Sequence, residues 1–198
     1  MSDRRALGGA VLAGGASSRM GTDKALIELD GAALVTRAVA ALGAAAADPV
    51  LIVGGDGAAF TALGLTAVAD LWPGEGPLGG IITALDAIPT EVIVVLSCDL
   101  TDASAIAVRA VVGALGDADV AVPVVEGHDQ WLHAAWHRRC LPTLRAEFDA
   151  GVRAPRRAAR SLDVVRLLDG DPGWYHDADR PEDLPGPGRV APDRRPRG

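Results

Sequence analysis

One short stretch of this 198-residue chain combines glycines with basic side chains in a way that suits phosphate binding. It runs from Leu12 to Lys24, directly after an apolar run, and reads Leu-Ala-Gly-Gly-Ala-Ser-Ser-Arg-Met-Gly-Thr-Asp-Lys. Glycines let backbone N–H groups approach phosphate oxygens closely. Arg19 can offer a planar pair of donors to a phosphate, and Lys24 a mobile point charge. Both suit a triphosphate, because negative charge builds on it during displacement at phosphorus.

Two common nucleotide-binding motifs do not account for this stretch. A P-loop needs Gly-Lys-Ser/Thr, but Gly21 is followed by Thr22 and Asp23. A dinucleotide fingerprint needs G-x-G-x-x-G, and the glycines here have another spacing. The alternative is a glycine-rich connection with solvated basic residues. Lys24 is the single lysine among 19 Lys and Arg residues, which weighs against that alternative.

Two further stretches place acidic residues after apolar runs. Asp70 begins Asp-Leu-Trp-Pro-Gly-Glu-Gly-Pro-Leu-Gly-Gly, a loop that could press its backbone against a planar base or a phosphate at a helix N-terminus. Asp99 follows the most hydrophobic run of the chain, where a carboxylate is costly to bury unless a cation or hydrogen bonds meet it. Asp99 is therefore a candidate Mg²⁺ ligand. The alternative role of capping the next helix suits Asp102 or Ser104 better.

The elements that must position these residues alternate between short apolar runs and longer stretches with helical periodicity. This alternation predicts βαβ units and a mostly parallel, Rossmann-like sheet covered on both faces, that is, a three-layer α/β/α sandwich. Ligands in such folds bind outside the carboxyl ends of the strands. The predicted strands are Ala10–Ala13, Val50–Val53, Thr66–Ala69, Val92–Leu96, Asp119–Pro123, Val164–Leu168 and Trp174–His176. The predicted helices are Leu34–Ala46, Ala58–Leu63, Gly80–Ile88, Ser104–Leu115, Leu141–Ala150 and the short turn Arg180–Leu184, and a hairpin turn is predicted within Pro123–Gln130.

Composition excludes several classes of protein. A net charge of −7 argues against a nucleic-acid-binding surface, which would be basic. No apolar run is long enough to cross a membrane, and the first residues do not resemble a signal peptide. Two cysteines, Cys98 and Cys140, form neither a disulfide framework nor a metal motif. We therefore expect a cytoplasmic protein that binds neither nucleic acid nor membrane.

The glycine-rich stretch resembles the signature of the MobA-like nucleotidyltransferases, L-A-G-G-x-S/x-x-R-M-G-x-D-K. Gly76–Gly80 is similar to the G-P-L-A/G-G element of the guanylyl-transferring branch, which favours GTP over CTP. Ser97-Cys98-Asp99 is similar to the family's C-D pair, and residues 177–184 to its N/D-x-N/D-T-P-E-D-L ending. The matching positions of the signature are Leu12, Ala13, Gly14, Gly15, Arg19, Met20, Gly21, Asp23 and Lys24.

This resemblance implies the fold of the nucleotide-diphospho-sugar transferases and the activity of a molybdenum cofactor guanylyltransferase. Such an enzyme moves GMP from GTP to the terminal phosphate of molybdopterin, the organic part of the molybdenum cofactor, and releases pyrophosphate. The resemblance implies catalytic roles for Arg19, Lys24 and Asp99, with Asp99 binding Mg²⁺. The implied nucleotide-binding residues are Leu12, Ala13, Gly14, Gly15, Lys24, Asp70, Gly79 and Asp99.

The resemblance covers residues 7–184. We expect one nucleotidyltransferase domain at residues 1–184 and a disordered tail at 185–198. We expect residues up to about 123 to bind the nucleotide and residues 124–184 to form the acceptor side. Transient contacts with proteins that deliver or accept the cofactor are also expected.

The chain departs from the family pattern at several positions. Trp131 replaces the proline of a Q-P-L segment, Asp177 and Asp179 stand where guanylyl enzymes often carry Asn, and Arg180 replaces Thr. Gly54-Gly55-Asp56 lacks an Asn that some relatives use for the nucleotide. Two alternatives therefore stay open. One is a related transferase that uses CTP or another phosphorylated acceptor, and the other is a GTP-binding accessory protein that has lost turnover.

Overall fold

Short runs of Val, Ile, Leu and Ala form the strands of a central sheet. The structure is a computed structural model that describes residues 6–14 and 24–168, and within them the chain forms ten strands and six α-helices. The strands are β1 (Leu7–Leu12), β2 (Glu28–Leu29), β3 (Ala32–Ala33), β4 (Val50–Val53), β5 (Ala67–Val68), β6 (Val92–Ser97), β7 (Val120–Val125), β8 (His128–Asp129), β9 (Ala135–His137) and β10 (Val164–Leu167). The helices are α1 (Leu34–Ala44), α2 (Gly57–Ala62), α3 (Pro77–Ala87), α4 (Ala105–Leu115), α5 (Leu141–Asp149) and α6 (Pro155–Ala158).

The sheet has the strand order β10-β7-β9-β6-β1-β4-β5, with β8 paired to β7, while β2 and β3 form a separate hairpin. β1 lies inside the sheet and pairs in parallel with β4 and β6. β10 pairs in parallel with β7, and both β6 and β7 run antiparallel to β9. Six strands therefore end at one side of the sheet, which we call the carboxyl end: β1, β4, β5, β6, β7 and β10.

Two apolar layers cover the two faces of the sheet, and the period-two alternation of the strands assigns side chains to each layer. In β6, Val92, Val94 and Leu96 pack on one face, with α1, α2 and α4. Ile93 and Val95 pack on the other face, with α3, α5 and α6. Each fully buried Val, Ile or Leu side chain stabilises the folded state by about 1.5–3 kcal/mol, because its apolar surface is removed from water. The predicted three-layer α/β/α sandwich with a mostly parallel sheet is confirmed.

Strand β9 is an element that the sequence pattern does not predict. It is inserted antiparallel between β6 and β7, where Ala135 pairs with both Val94 and Ala121. It has three residues and lies between two 3-10 turns, at 131–133 and 138–140, so no alternating window marks it. Its central residue, Trp136, is completely buried.

The helix after the Asp70 loop begins earlier than the apolar pattern predicts. We predicted Gly80–Ile88, whereas α3 begins at Pro77, with Gly76 at the N-cap and the φ angle of Gly76 at 94°. Proline is well suited to the first turn, where its missing N–H has no intrahelical partner. As a result, Gly79 and Gly80 lie inside the first turn of α3 rather than in the loop before it.

Other boundaries agree with the sequence-based ones or differ from them by up to three residues. Ser104 caps α4 by accepting a hydrogen bond from Ile106 N, as its position predicts. The predicted hairpin is present between β7 and β8, with Glu126 and Gly127 both at positive φ. The predicted elements Trp174–His176 and Arg180–Leu184 lie outside the described residues, as does the predicted tail. No helix in residues 6–14 and 24–168 has the length and apolar character needed to cross a membrane.

Candidate functional site at the carboxyl end of the sheet

The loop after β1 begins between the ends of two neighbouring strands. Leu12 pairs with Ser97 at the end of β6, and Cys98 N donates to Leu12 O at 3.2 Å. Ala13 N donates to Val53 O at 2.9 Å, at the end of β4. The predicted nucleotide-binding segment Leu12–Gly14 is thus held by backbone hydrogen bonds on both sides. Leu12 and Ala13 are buried, while Gly14 is exposed at the surface of this end of the sheet.

Lys24 and Asp99 come together from distant parts of the chain. Lys24 begins a 3-10 turn after the glycine-rich stretch, and its Nζ lies 4.0 Å from Asp99 Oδ2. Ser97 Oγ donates a hydrogen bond to the other carboxylate oxygen, Asp99 Oδ1. Both charged side chains keep part of their surface exposed, 26% for Lys24 and 18% for Asp99. The pair is therefore mostly covered by protein but remains accessible to a ligand from this end of the sheet.

The donor set at Asp99 fits a magnesium ion that is held jointly by protein and substrate. Mg²⁺ binds through one or two carboxylates and takes its other ligands from phosphates and water. Within residues 6–14 and 24–168, no three His, Cys, Asp or Glu side chains cluster closely enough to hold a metal by themselves. A magnesium ion at Asp99 would take further ligands from phosphate oxygens and water.

Asp70 follows β5 at the same end of the sheet, and its two carboxylate oxygens have different surroundings. Oδ1 accepts hydrogen bonds from Trp72 N at 3.0 Å and from Thr83 Oγ1 at 3.1 Å. Oδ2 faces the β1 loop, since a Cβ built on Gly14 would lie 3.7 Å from it. Gly54, whose φ angle is +77°, packs against the Gly14 backbone. A Cβ atom built on Gly54 would lie 3.4 Å from Gly14 N. The structure therefore brings Gly14 and Asp70 together, as the predicted nucleotide site requires.

A small aromatic cluster holds the loop between Asp70 and α3. The rings of Trp72 and Phe148 lie 4.9 Å apart, and both approach the backbone of Gly79. A Cβ on Gly79 would lie 3.3 Å from Trp72 Cβ, so this position accepts little beyond glycine. Gly79 N donates to Gly76 O at 3.2 Å. Gly79 is thus buried beneath Trp72, and its proposed contact with a nucleotide stays a prediction.

Comparison with known families assigns the chain. Residues 9–165 match the model of the MobA-like NTP transferase domain. The chain belongs to this family. The match covers most of β1, all of β2–β9 and the first half of β10, so it includes Leu12–Gly14, Lys24, Asp70 and Asp99.

Two relatives match this chain over most of their own length. A protein of Chloroflexus aggregans is 35% identical over 177 residues, which is 84% of this chain and 80% of that protein. A protein of Methanothermobacter thermautotrophicus is 31% identical over 188 residues, which is 88% of this chain and 95% of that protein. Both are named probable molybdenum cofactor guanylyltransferase.

Solved structures of nucleotidyltransferases share the fold. Molybdopterin-guanine dinucleotide biosynthesis protein A of Archaeoglobus fulgidus superposes with a TM-score of 0.72 at 21% identity, over 89% of this chain and 94% of that one. The 2-C-methyl-D-erythritol 4-phosphate cytidylyltransferase of Thermus thermophilus gives 0.68 at 17% identity, over 88% and 94%. At these identities the likeness concerns the fold alone. This chain is a nucleotidyltransferase of the MobA-like family with the expected fold.

Arg153 contacts the loop before α3, an interaction that sequence reasoning missed. Its Nε donates to Glu75 Oε2 at 2.8 Å, and its Nη1 donates to Phe148 O at 2.8 Å. Its guanidinium carbon lies 3.9 Å from the centre of the Phe148 ring. Arg153 therefore braces the loop before α3 from the segment between α5 and α6. Its separation of 78 residues from Glu75 gives no local signal in the sequence.

Two further polar residues, Asp56 and His137, have hydrogen-bond partners within the described part of the chain. Asp56, the last residue of the segment Gly54-Gly55-Asp56, caps α2 by accepting from Ala58 N and Ala59 N. His137 has a carboxylate partner, because its Nε2 lies 3.1 Å from Glu91 Oε1. That pair lies at the opposite end of the sheet, where His137 pairs with the first residue of β6, so it does not join the site.

Neither cysteine has the surroundings of a nucleophile. Both are buried, Cys98 at 9% exposure and Cys140 at 1%. Burial, with a smaller contribution from nearby Asp119, raises the pKa of the Cys140 thiol to about 12. A thiol that stays protonated is a weak nucleophile, which agrees with a packing role.

A basic cleft lies beside β10, on the face covered by α6. It has a volume of about 410 Å³ and is lined by Trp131, Arg156, Arg160 and Arg166, among others. Arg166 is held by Asp129 through two hydrogen bonds of 2.9 and 3.1 Å. Trp131, which replaces the proline of the family, packs against Trp136 in a tilted arrangement with ring centres 5.8 Å apart.

Several predicted site residues lie outside the described residues. They are Gly15, Arg19, Asp177, Asp179 and Arg180.

Proposed function

We propose that this chain is a molybdenum cofactor guanylyltransferase that transfers GMP from GTP to the terminal phosphate of molybdopterin. The observation that carries the proposal is the approach of Lys24 Nζ to within 4.0 Å of Asp99 Oδ2, beside the Leu12–Gly14 segment. One cation and one metal-binding carboxylate at a glycine-rich loop suit the charge of a triphosphate. The names of the two relatives support the choice of guanylyl transfer to this acceptor.

The reaction balances without a covalent intermediate. A terminal phosphate oxygen of molybdopterin forms a bond to the α-phosphorus of GTP. The bond from the α-phosphorus to the oxygen that bridges to the β-phosphate breaks, and pyrophosphate leaves with that oxygen and its electron pair. Because the attacking oxygen is already anionic, the enzyme needs little acid–base catalysis. Its task is to position the two substrates and neutralise their charge.

The residues of the chain divide this task between them. Lys24 neutralises charge on the triphosphate, and Arg19, by its match to the family signature, holds the phosphates with it. Asp99 holds Mg²⁺, which when bound supplies positive charge to the phosphate oxygens. The Ser97 hydroxyl fixes Asp99 through Oδ1, which leaves Oδ2 toward the substrate side. By their match to the family signature, Gly14 and Gly15 are assigned to phosphate binding.

We assign base recognition to Asp70 and the loop before α3. Guanine presents two adjacent donors, N1–H and N2–H, and an ionised carboxylate only accepts hydrogen bonds. Cytosine and adenine present a donor next to an acceptor. The acceptor atom of the base would be repelled by a carboxylate oxygen. Asp70 Oδ2 faces Gly14 and is the oxygen left open to a ligand. Asp70 therefore favours GTP.

We place the acceptor on the side formed by residues 124–184, within a single domain of residues 1–184. The basic cleft with Trp131, Arg156, Arg160 and Arg166 supports this placement, since its positive charge suits an anionic pterin phosphate. Cytoplasmic location and transient contacts with partner proteins stay predictions.

The test is pyrophosphate release across a matrix of GTP, CTP and ATP, each with Mg²⁺ and with or without molybdopterin. We expect release only with GTP, molybdopterin and Mg²⁺ together. Release with CTP in place of GTP would indicate the cytidylyl alternative. GTP binding without release would indicate an accessory protein, and both outcomes would contradict the proposal.

A further inference from the structure

We infer that Thr83 is a positioning residue that sets base specificity by fixing the carboxylate of Asp70. This inference rests on the proposed function, because it assumes that Asp70 contacts the base of a bound nucleotide. Thr83 belongs to α3 and is 3% exposed, so its hydroxyl acts within the protein and does not itself touch the substrate.

The hydrogen bonds around Asp70 divide its two oxygens into a held one and an open one. Oδ1 receives Trp72 N at 3.0 Å and Thr83 Oγ1 at 3.1 Å. A carboxylate oxygen has two lone-pair sites, so these two donors use the capacity of Oδ1. Oδ2, on the Gly14 side, is then the acceptor that remains for a ligand. The plane of the carboxylate is set by donors on one oxygen only.

Thr83 is well placed to hold that plane because its own hydroxyl is constrained. Leu71 N donates to Thr83 Oγ1 at 3.2 Å, while the hydroxyl can donate to Asp70 Oδ1 or to Gly79 O, 3.0 Å away. The charged carboxylate is the stronger acceptor of the two. The same hydroxyl therefore links Asp70, the loop that follows it and the first turn of α3. No water could easily replace it, given its burial.

Loss of this hydroxyl has a specific consequence for base selection. Without it, Asp70 Oδ1 keeps only Trp72 N, and the carboxylate can rotate away from the orientation that meets guanine donors. A site that hydrogen-bonds a substrate group discriminates strongly only while its polar atoms are held in place. The phosphate-binding residues Lys24 and Asp99 are not bonded to Thr83, so turnover of saturated enzyme is preserved.

The experiment compares Thr83→Val and Thr83→Ser with the matched control Thr90→Val. Thr90 is also a buried threonine, 9% exposed, and its hydroxyl donates to Val92 O at the opposite end of the sheet. Dissociation constants for GTP, CTP and ATP are measured by calorimetry, and KM and kcat for GTP are measured by pyrophosphate release. We expect Thr83→Val to weaken GTP binding about tenfold with kcat changed less than about twofold, and to lower the preference of GTP over CTP by a similar factor.

The controls separate positioning from stability. Thr83→Ser should restore GTP preference, and Thr90→Val should retain it even where both valine variants lower Tm equally. If Thr83→Val retains the wild-type GTP preference, or weakens all three nucleotides alike, the inference is wrong. Should the valine variant not fold, Thr83→Ser and Thr83→Ala form an equivalent pair. Both lack the γ-methyl group and differ only in the hydroxyl.

Failure of the inference can be told from failure of the proposed function. If the wild-type protein itself shows no preference for GTP, then the assignment of Asp70 to guanine is wrong, and the role of Thr83 falls with it. If the wild type prefers GTP and Thr83→Val retains that preference, only the role of Thr83 is overturned.

Discussion

At the scale of single residues, the composition of the chain singles out Lys24, and the structure places Lys24 at the candidate site. It is the single lysine of the chain, and its Nζ lies beside Asp99 although 75 positions separate them. Both residues follow strands that are neighbours in the sheet, so the topology brings them together. The βα alternation and the glycine-rich motif predict this meeting. The role of Ser97 in fixing Asp99 is not predictable, since it depends on a side-chain rotamer.

Lys24→Met should lower kcat for GMP transfer by about 10²–10³-fold, the effect of removing one charge-stabilising donor. Both side chains of the pair with Asp99 keep contact with water, so Tm should change by only about 3 °C or less. Steady-state kinetics and thermal unfolding measure the two effects.

Arg109→Met is the matched control, because Arg109 is an exposed cation that donates to Ala44 O at the end of α1. It should leave kcat unchanged. If Lys24→Met lost no more activity than Arg109→Met, Lys24 would have no catalytic role.

At the scale of elements, the loop between Asp70 and α3 is held by a residue far away in the sequence. Arg153 pairs with Glu75 and lies over Phe148. The glycine and proline pattern predicts that a rigid loop precedes a helix here. It predicts neither the start of α3 at Pro77 nor the Arg153 contact, because both depend on packing of α3 against α5.

Arg153→Met should raise KM for GTP about threefold to tenfold, since the loop that carries the base-binding side loses a brace, while kcat stays within about twofold. Arg145→Met is the control. Arg145 joins α5 to α3 itself, through Asp86 at 2.9 Å. Equal KM values for the two variants would show that the Arg153 contact has no part in nucleotide binding.

Asp119 joins three elements at the start of β7. Burial opposes its charge, but hydrogen bonds from Arg139 and from Asp163 N, with the nearby charges of Arg139 and His137, hold the pKa of Asp119 below its ordinary value of 3.8. A lowered pKa stabilises the folded state at pH values above the unfolded pKa. That stability is lost as the pH falls through the folded pKa.

Asp119→Asn should therefore lower Tm by about 3 °C at pH 7, and the difference from wild type should shrink below about pH 4. Thermal unfolding from pH 7 to pH 3 measures it, with the exposed Asp102→Asn as control. A difference that is the same at both pH values would show that the charge of Asp119 does not stabilise the fold.

At the scale of the whole molecule, the sandwich was predictable because most strands are apolar runs separated by helical periodicity. β4 matches its predicted bounds, and the two-faced burial of β6 follows from its hydrophobicity. β9 was not predictable, since its three residues enter the sheet antiparallel through long-range pairing alone. The acceptor side depends most on such pairing, and there the family pattern is also weakest.

The chemistry of the whole molecule is tested most directly by the fate of the α-phosphate of GTP. The enzyme is incubated with Mg²⁺, molybdopterin and GTP labelled at the α-phosphorus, and the products are separated. We predict that the label moves to molybdopterin in a one-to-one ratio with released pyrophosphate, and that Lys24→Met abolishes nearly all of this transfer. Label that stays in GTP while the protein binds it, or transfer from CTP in preference to GTP, would contradict guanylyl transfer.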